Sequence, residues 1–304
     1  MRTARLDTYI GLMATNTLSD VSNQLADAVA AASKSLVTVK GRARQPASGV
    51  VYAEGLVLTA NHVLERDEDL TIEDSGGTSL AAQLAGRDPG SDLAVLRVAG
   101  LNTPAASAAA GPARVGQITL AVGRPSSSGP MASIGIVSYV GGPLRTGRGL
   151  TLEQYIRTDA TPYPGFSGGP LIDASGAVLG ITTTGFGGAA LAIPHELAWR
   201  VANTLTEHGT PKRGYLGITS QPVRLPPGAA QETGLLIVHV EDDSPAAKGG
   251  LLLGDIVVSL DGQPAGDTDD LLRLLTGERV GKACSVEVIR GGQPQKVEVT
   301  IGQR

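Results

Sequence analysis

Apolar positions along this chain change their period more than once. Between residues 17 and 33, Leu18, Val21, Leu25, Ala28 and Ala32 recur at three- and four-residue steps. That spacing makes one helix face, and Thr17 with Asp20 supplies a capping-box start, so a helix is expected over 17–33. From Ser35 to Ile193 the runs shorten and become β-rich: Leu36–Val39, Gly49–Tyr52, Leu56–Thr59, Leu93–Val98, Ile118–Val122, Ile134–Val140, Val178–Thr182 and Ala190–Ile193. Turn signals such as Gly76-Gly77, Asp88-Pro89-Gly90 and Gly141-Gly142-Pro143 separate them. Short strands in succession, with no helices between, predict a sandwich or barrel rather than a βαβ sheet. A second helix is expected at His195–His208, with Leu197, Ala198, Val201 and Leu205 on one face and Gly209 as its stop. The breaker-rich stretch Gly209-Thr210-Pro211-Lys212-Arg213-Gly214 is the best domain boundary. Beyond it, strands at Leu235–Val240, Ile256–Leu260, Ser285–Ile289 and Lys296–Ile301, with a helix at Thr268–Leu275, predict a small α/β module. The expected organisation is therefore an N-terminal segment over 1–34, a β domain over 35–209, and a linker with its module over 210–304.

Composition narrows the function classes. At 304 residues, 41% hydrophobic and 18% charged, the chain can build real cores, and its 41 glycines suit strands joined by tight turns. Twenty-five basic against 29 acidic residues give a net charge of −4, which offers no footprint for a nucleic-acid backbone. A single cysteine, Cys284, excludes an intrachain disulfide and a thiolate metal cluster, and its alternating strand context makes it a small core residue. The four histidines fall in unrelated segments, and there is no nucleotide loop, so neither a metal nor another cofactor is expected. No apolar run approaches the ~18 residues of a membrane span. The start, Met1-Arg2-Thr3-Ala4-Arg5, is basic, but Asp7 breaks the apolar stretch after it. On the residues alone, the expectation is a cytoplasmic protein without an export signal.

Three segments carry candidate chemistry. In Leu58-Thr59-Ala60-Asn61-His62-Val63 a histidine follows an apolar strand, at a corner where its ring can reach a cleft. In Ser91-Asp92-Leu93-Ala94-Val95-Leu96 a carboxylate precedes a fully apolar strand. In Pro164-Gly165-Phe166-Ser167-Gly168-Gly169-Pro170 small residues surround one hydroxyl in a tight turn. Each has a bland reading, as a surface histidine, a strand-edge cap and a structural turn. Together they supply what an acyl-transfer site needs. A serine hydroxyl is a poor nucleophile without a base, and the base needs a carboxylate to orient it and stabilise its charge. The backbone N–H groups of Gly165 and Ser167 are the natural oxyanion donors. Asp88, in the turn ahead of Asp92, is expected to be a turn former rather than the acid.

These motifs resemble the chymotrypsin-like double β-barrel serine proteases, and specifically the bacterial HtrA (Deg) group. Thr59-Ala60-Asn61-His62-Val63, Ser91-Asp92-Leu93-Ala94-Val95-Leu96, Thr158-Asp159-Ala160, Ser167-Gly168-Gly169-Pro170-Leu171 and Leu191-Ala192-Ile193-Pro194 match its signatures. Lys212-Arg213-Gly214-Tyr215-Leu216-Gly217-Ile218 matches the join to a PDZ domain, and Ser244-Pro245-Ala246-Ala247-Lys248-Gly249-Gly250-Leu251 the PDZ pattern itself. The resemblance implies a mainly β fold, a chymotrypsin-like double β-barrel over 35–209 followed by a small α/β PDZ domain. It implies an ATP-independent serine endopeptidase cleaving unfolded or misfolded protein, with His62, Asp92 and Ser167 as the triad. It further implies binding of C-terminal or apolar peptides along Tyr215, Leu216, Gly217 and Ile218, homotrimers joined through residues ahead of the first barrel, and a periplasmic or envelope setting as the alternative to the cytoplasm. By analogy with the fold, the primary pocket is lined by Thr161, Thr183, Thr184 and Gly185. No acid lies between Thr161 and Ala192 except Asp173, in a turn away from the pocket, so cleavage after small or medium aliphatic residues is expected. One departure matters. The residue before the nucleophile is Asn in most of the group and Asp in trypsin-like enzymes that mature through an N-terminal ion pair. Here it is Phe166, which cannot form that pair and leaves open how the turn is held. The alternative from another class is an inactive, peptide-binding protein on the same fold.

Overall fold

The computed structural model describes residues 3–43, 45–145, 151–186, 190–210, 214–228, 231–275 and 279–303. The chain divides into two compact units, the second taking up after Thr210. A long helix, α1 (Thr3–Ser33), opens the first. It begins well ahead of the expected 17–33. No proline interrupts residues 3–16, and Gly11 costs only about 1 kcal/mol, so the capping signal at Thr17 falls inside a helix instead of starting one.

Six antiparallel strands then close into a barrel: β1 (Leu36–Lys40), β2 (Ala47–Ala53), β3 (Leu56–Ala60), β4 (Leu70–Glu73), β5 (Ser79–Asp88) and β6 (Leu93–Arg97), in the order β1-β2-β3-β6-β5-β4. A second six-stranded barrel follows. Its strands are β7 (Ile118–Gly123), β8 (Met131–Gly141), β9 (Tyr155–Thr158), β10 (Pro170–Ile172), β11 (Val178–Thr183) and β12 (Leu191–Pro194), in the order β9-β12-β11-β10-β7-β8. Several strands are apolar on both faces because both are buried. Along β6, Ala94 and Leu96 fill the first barrel while Leu93 and Val95 face the core between barrels. Val51 and Val57 point inward in the same way, and Val50 and Leu58 outward to that shared core. The continuous apolar run read as a strand thus has a packing reason.

The inter-barrel core is sealed by Ala28 and Ala32 of α1 and by Leu197, Ala198, Ala202 and Leu205 of α2 (His195–His208). Gly209 ends α2 with φ +73, the conformation a glycine takes most cheaply. The second unit is a sheet in which Ile218–Arg224, Thr233–Val240, Ile256–Leu260, Ala283–Arg290 and Gln293–Thr300 are neighbours in that order, with helices at Pro245–Gly249 and Thr268–Leu274. Leu235, Ile237, Leu260, Val286 and Val288 form its core, and Cys284 is buried among them. Burial and the adjacent Asp261 push the Cys284 thiol above its ordinary pKa, so it stays a thiol.

Candidate active site

Strand pairing creates the acid–base couple. β3 and β6 are antiparallel neighbours with Ala60 opposite Leu93, so the residues just after β3 lie beside the residue just before β6. Those residues are Asn61, His62 and Asp92. Asp92 holds φ +56, a left-handed conformation that aspartate tolerates better than most residues. In it, the Asp92 carbonyl accepts the Asn61 N–H at 2.9 Å, and Oδ1 accepts the His62 N–H at 2.9 Å. Oδ2 lies 2.7 Å from His62 Nδ1 and also accepts the Thr183 hydroxyl. The Thr183 oxygen itself accepts the Gly185 N–H at 2.9 Å, so its proton is directed to Asp92. A carboxylate on Nδ1 fixes the proton there and leaves Nε2 as the basic nitrogen. His62 is 31% exposed and Asp92 6% at the side chain, a sheltered acid behind an accessible base. Asp88 is the turn former expected: its Oδ1 accepts the Gly90 N–H at 2.9 Å and its Oδ2 the Ser91 hydroxyl at 2.7 Å.

The nucleophile turn comes from the other barrel, just ahead of β10. Gly165 and Gly168 have φ +87 and +86. A Cβ on Gly168 would stand 2.2 Å from the Ser48 carbonyl oxygen, so the turn closes against β2 only because side chains are absent. Among the described residues, neither the Gly165 nor the Ser167 N–H meets an acceptor, although both residues are buried. Two buried donors flanking the serine are what an oxyanion hole requires. Ser167 Oγ sits 3.2 Å from Thr184 Oγ1, and among the described residues it makes no hydrogen bond to His62. Such bonds often tighten only with substrate in place.

Phe166 answers how the turn is held. Its side chain is 1% exposed, lies in the second barrel's core with Val137, Ile156 and Leu171, and meets Tyr163 edge-to-face at 5.4 Å and 77°. The anchor is apolar, not ionic.

The four residues expected around the specificity pocket separate. Thr183 is 1% exposed and turned to Asp92, so its hydroxyl orients the acid instead of lining a slot. Thr184 reaches Ser167, and Gly185 lies so near the acid–base couple that a Cβ would come 2.6 Å from Asp92 Oδ2. Thr161 is exposed after β9, its carbonyl accepting the Ser133 hydroxyl at 2.7 Å. In the second unit, Gly217 has φ +80 and its carbonyl accepts the Glu241 N–H at 2.8 Å, while Tyr215 bonds Glu241 through its hydroxyl. Among the described residues, the Leu216 and Gly217 N–H groups meet no acceptor.

Comparison with known proteins agrees with this geometry. Residues 47–181 match the trypsin-like peptidase domain family, and residues 214–301 match the PDZ domain family. Among solved structures, an HtrA-type protease AlgW bound to a decapeptide is 32% identical, with a TM-score of 0.69, covering 92% of this chain and 98% of that one. The chain belongs to the HtrA-type proteases. A serine endoprotease from Yersinia pestis is 31% identical with a TM-score of 0.70, covering 93% of this chain and 97% of that one. A probable periplasmic serine endoprotease, DegP-like, of Pseudomonas fluorescens is 36% identical over 267 residues, covering 83% of this chain. A protein of the same description from Brucella suis is 34% identical over 286 residues. The chain spans 55% of the length of each of these two curated relatives. Both DegP-like relatives are named as periplasmic, which overturns the cytoplasmic expectation. That expectation rested on the absence of an export stretch, and such an absence carries no information about compartment. No helix among the described residues is long and apolar enough to cross a membrane.

Proposed function

We propose that this chain is an ATP-independent serine endopeptidase that cleaves unfolded or misfolded protein through an acyl-enzyme. One observation carries the reading most directly: a buried carboxylate orients His62 through Nδ1, next to a serine turn whose two candidate oxyanion donors are both without acceptors. In the reaction, the Ser167 hydroxyl leaves Thr184 and gives its proton to His62 Nε2 as it attacks the peptide carbonyl. Asp92 stabilises the imidazolium, and the Gly165 and Ser167 N–H groups receive the negative oxygen. His62 then protonates the departing amine, and water repeats the sequence on the ester.

The PDZ unit binds peptide termini at the Tyr215–Ile218 turn in this reading. Support comes from the acceptor-free N–H groups there and from the related HtrA-type structures described with a tripeptide and a decapeptide. The Leu18 side chain, 74% exposed on α1, suits the homotrimer contact that the family resemblance implies. Cleavage after Val, Ala or Leu is carried over from the fold analogy and rests on the sequence, where Asp173 is the one acid between Thr161 and Ala192. Digestion of casein with peptide mapping, comparing this chain with Ser167→Ala, tests the whole. Loss of cleavage and of fluorophosphonate labelling in the variant is expected. A chain that neither labels nor cleaves would be the peptide-binding protein instead, and a majority of cuts after Lys or Arg would refute the pocket.

A further inference from the structure

Ser48, on β2 of the first barrel, touches the nucleophile turn of the second in more than one place. Its side chain is fully buried. Its N–H donates to the Ser167 carbonyl at 3.2 Å, and its hydroxyl lies 2.7 Å from the Gly165 carbonyl oxygen. The same hydroxyl oxygen accepts the Arg124 N–H at 2.8 Å, and Thr59 Oγ1 donates to the Ser48 carbonyl at 2.7 Å. A backbone N–H can only donate, so the Ser48 hydroxyl must turn its own proton to Gly165. Nothing in this arrangement is free to rotate. The carbonyls of Gly165 and Ser167, the residues that carry the oxyanion donors, are thereby tied to the barrel that carries His62 and Asp92.

We propose that Ser48 is a positioning residue for the reaction: its hydroxyl and N–H hold the oxyanion turn at the distance from His62 that proton transfer and charge stabilisation need. This rests on the serine-endopeptidase reading above. Phe166 anchors the turn within its own barrel, whereas Ser48 sets it against the opposite one. An apolar anchor limits how deep the turn sits but does not direct its carbonyls, which a hydrogen bond does. Misplacing a reacting group by about 1 Å can cost on the order of 100-fold in rate. The hydroxyl never meets substrate, so the loss belongs in kcat and not in KM.

The test is steady-state hydrolysis of a peptide by the full chain and by Ser48→Ala, with active sites counted by exhaustive fluorophosphonate labelling. Ser167→Ala run first shows whether the activity is this site's own. If the parent chain has no Ser167-dependent hydrolysis, the enzymatic reading fails and not this proposal. With that activity present, Ser48→Ala is expected to lower kcat by about 10- to 100-fold per active site. KM should stay within about threefold, and the pH profile of kcat/KM should keep its midpoint, because Asp92 and His62 are untouched. Ser48→Cys, which keeps the shape but donates weakly, should fall on the same side, and it replaces the alanine variant if that one does not fold. A kcat per active site within about twofold of the parent, in whichever variant is folded, overturns the proposal. So does a loss confined to KM.

Discussion

Phe166→Ala is the most informative single perturbation of the nucleophile turn. The ring is 1% exposed, meets Tyr163 edge-to-face, and lies over Gly123, where an added Cβ would come 2.5 Å from ring Cδ1. A glycine beneath the ring has no side chain to move into the vacancy, so the cavity stays. Truncating a buried Phe to Ala costs roughly 3–5 kcal/mol, and the poor prospects for collapse place this site near 4 kcal/mol. For a unit of this size, about 2–4 °C accompanies each kcal/mol, so its unfolding midpoint should drop by about 8–16 °C. The two proposed oxyanion donors stand on either side of Phe166, so the fluorophosphonate labelling rate should fall at least about tenfold at temperatures where the variant is folded. Phe166→Asn should do no better than alanine. An amide there meets an apolar pocket and adds about 1–3 kcal/mol for an unpaired polar group. Calorimetry and time-resolved labelling give both numbers. An alanine variant that unfolds within about 2 °C of the parent and labels at the parent's rate would refute the apolar anchor.

The acid is tested by Asp92→Asn against Asp88→Asn. The first should cost about 10⁴ in kcat through the wrong histidine tautomer, as in the related triad enzymes, and the second only stability of the turn. Equal losses would move the acid to Asp88. Thr183→Val keeps the shape but removes one hydrogen bond from the Asp92 carboxylate; a roughly 10- to 150-fold lower kcat with unchanged KM is expected, from about 1.5–3 kcal/mol for a bond to a charged group. In the PDZ unit, burial works to raise the pKa of Asp255, but the Arg290 guanidinium fork and the Leu252 N–H outweigh it and hold it below the ordinary carboxylate value. A lowered folded pKa means stability that is present at neutral pH and lost as the pH falls from about 4 through the folded value. Urea unfolding of the full chain should show the PDZ transition weakening on acidification, and Asp255→Asn should flatten that response. An unchanged acid response in Asp255→Asn would refute the assignment.

Much of this architecture can be read from the chain because its packing is two-sided. Leu93–Leu96 reads as a strand buried on both faces, and it divides its side chains between a barrel interior and the core between barrels. His62, Asp92 and Ser167 stand out since each follows or precedes such a run in a turn with small or polar neighbours. The start of α1 does not stand out. A capping box is a local signal, and a helix continues through one when nothing breaks the chain ahead of it. Ser48 escapes notice, and Thr183 is noticed only as a pocket wall, for a different reason. Each belongs to a strand whose other residues are small or apolar, so the sequence gives its hydroxyl no partner nearby. Its partner lies 117 residues away for Ser48 and 91 for Thr183. Only the pairing of β2 with the nucleophile turn, and of β11 with Asp92, gives these hydroxyls a role.

That long range follows from how the site is divided. On the proposed reading the first barrel supplies the acid and the base, aligned by the register of β3 and β6. On the same reading the second barrel supplies the nucleophile and the oxyanion donors, on a turn anchored by Phe166 in its own core. Neither half can react alone. The apolar core between the barrels holds them side by side, but apolar contact is not directional and tolerates small slips. Directional bonds across the same boundary must therefore set the working distance. Thr183 reaches from the second barrel to Asp92 in the first, and Ser48 reaches from the first to Gly165 in the second. The two bonds run in opposite directions across one boundary, so a slip that relaxed one would strain the other. If the two bonds set one distance together, losing either already loosens it, so Ser48→Ala with Thr183→Val should lower kcat by less than the product of the two single losses; a loss equal to that product would show that the two hydroxyls act independently.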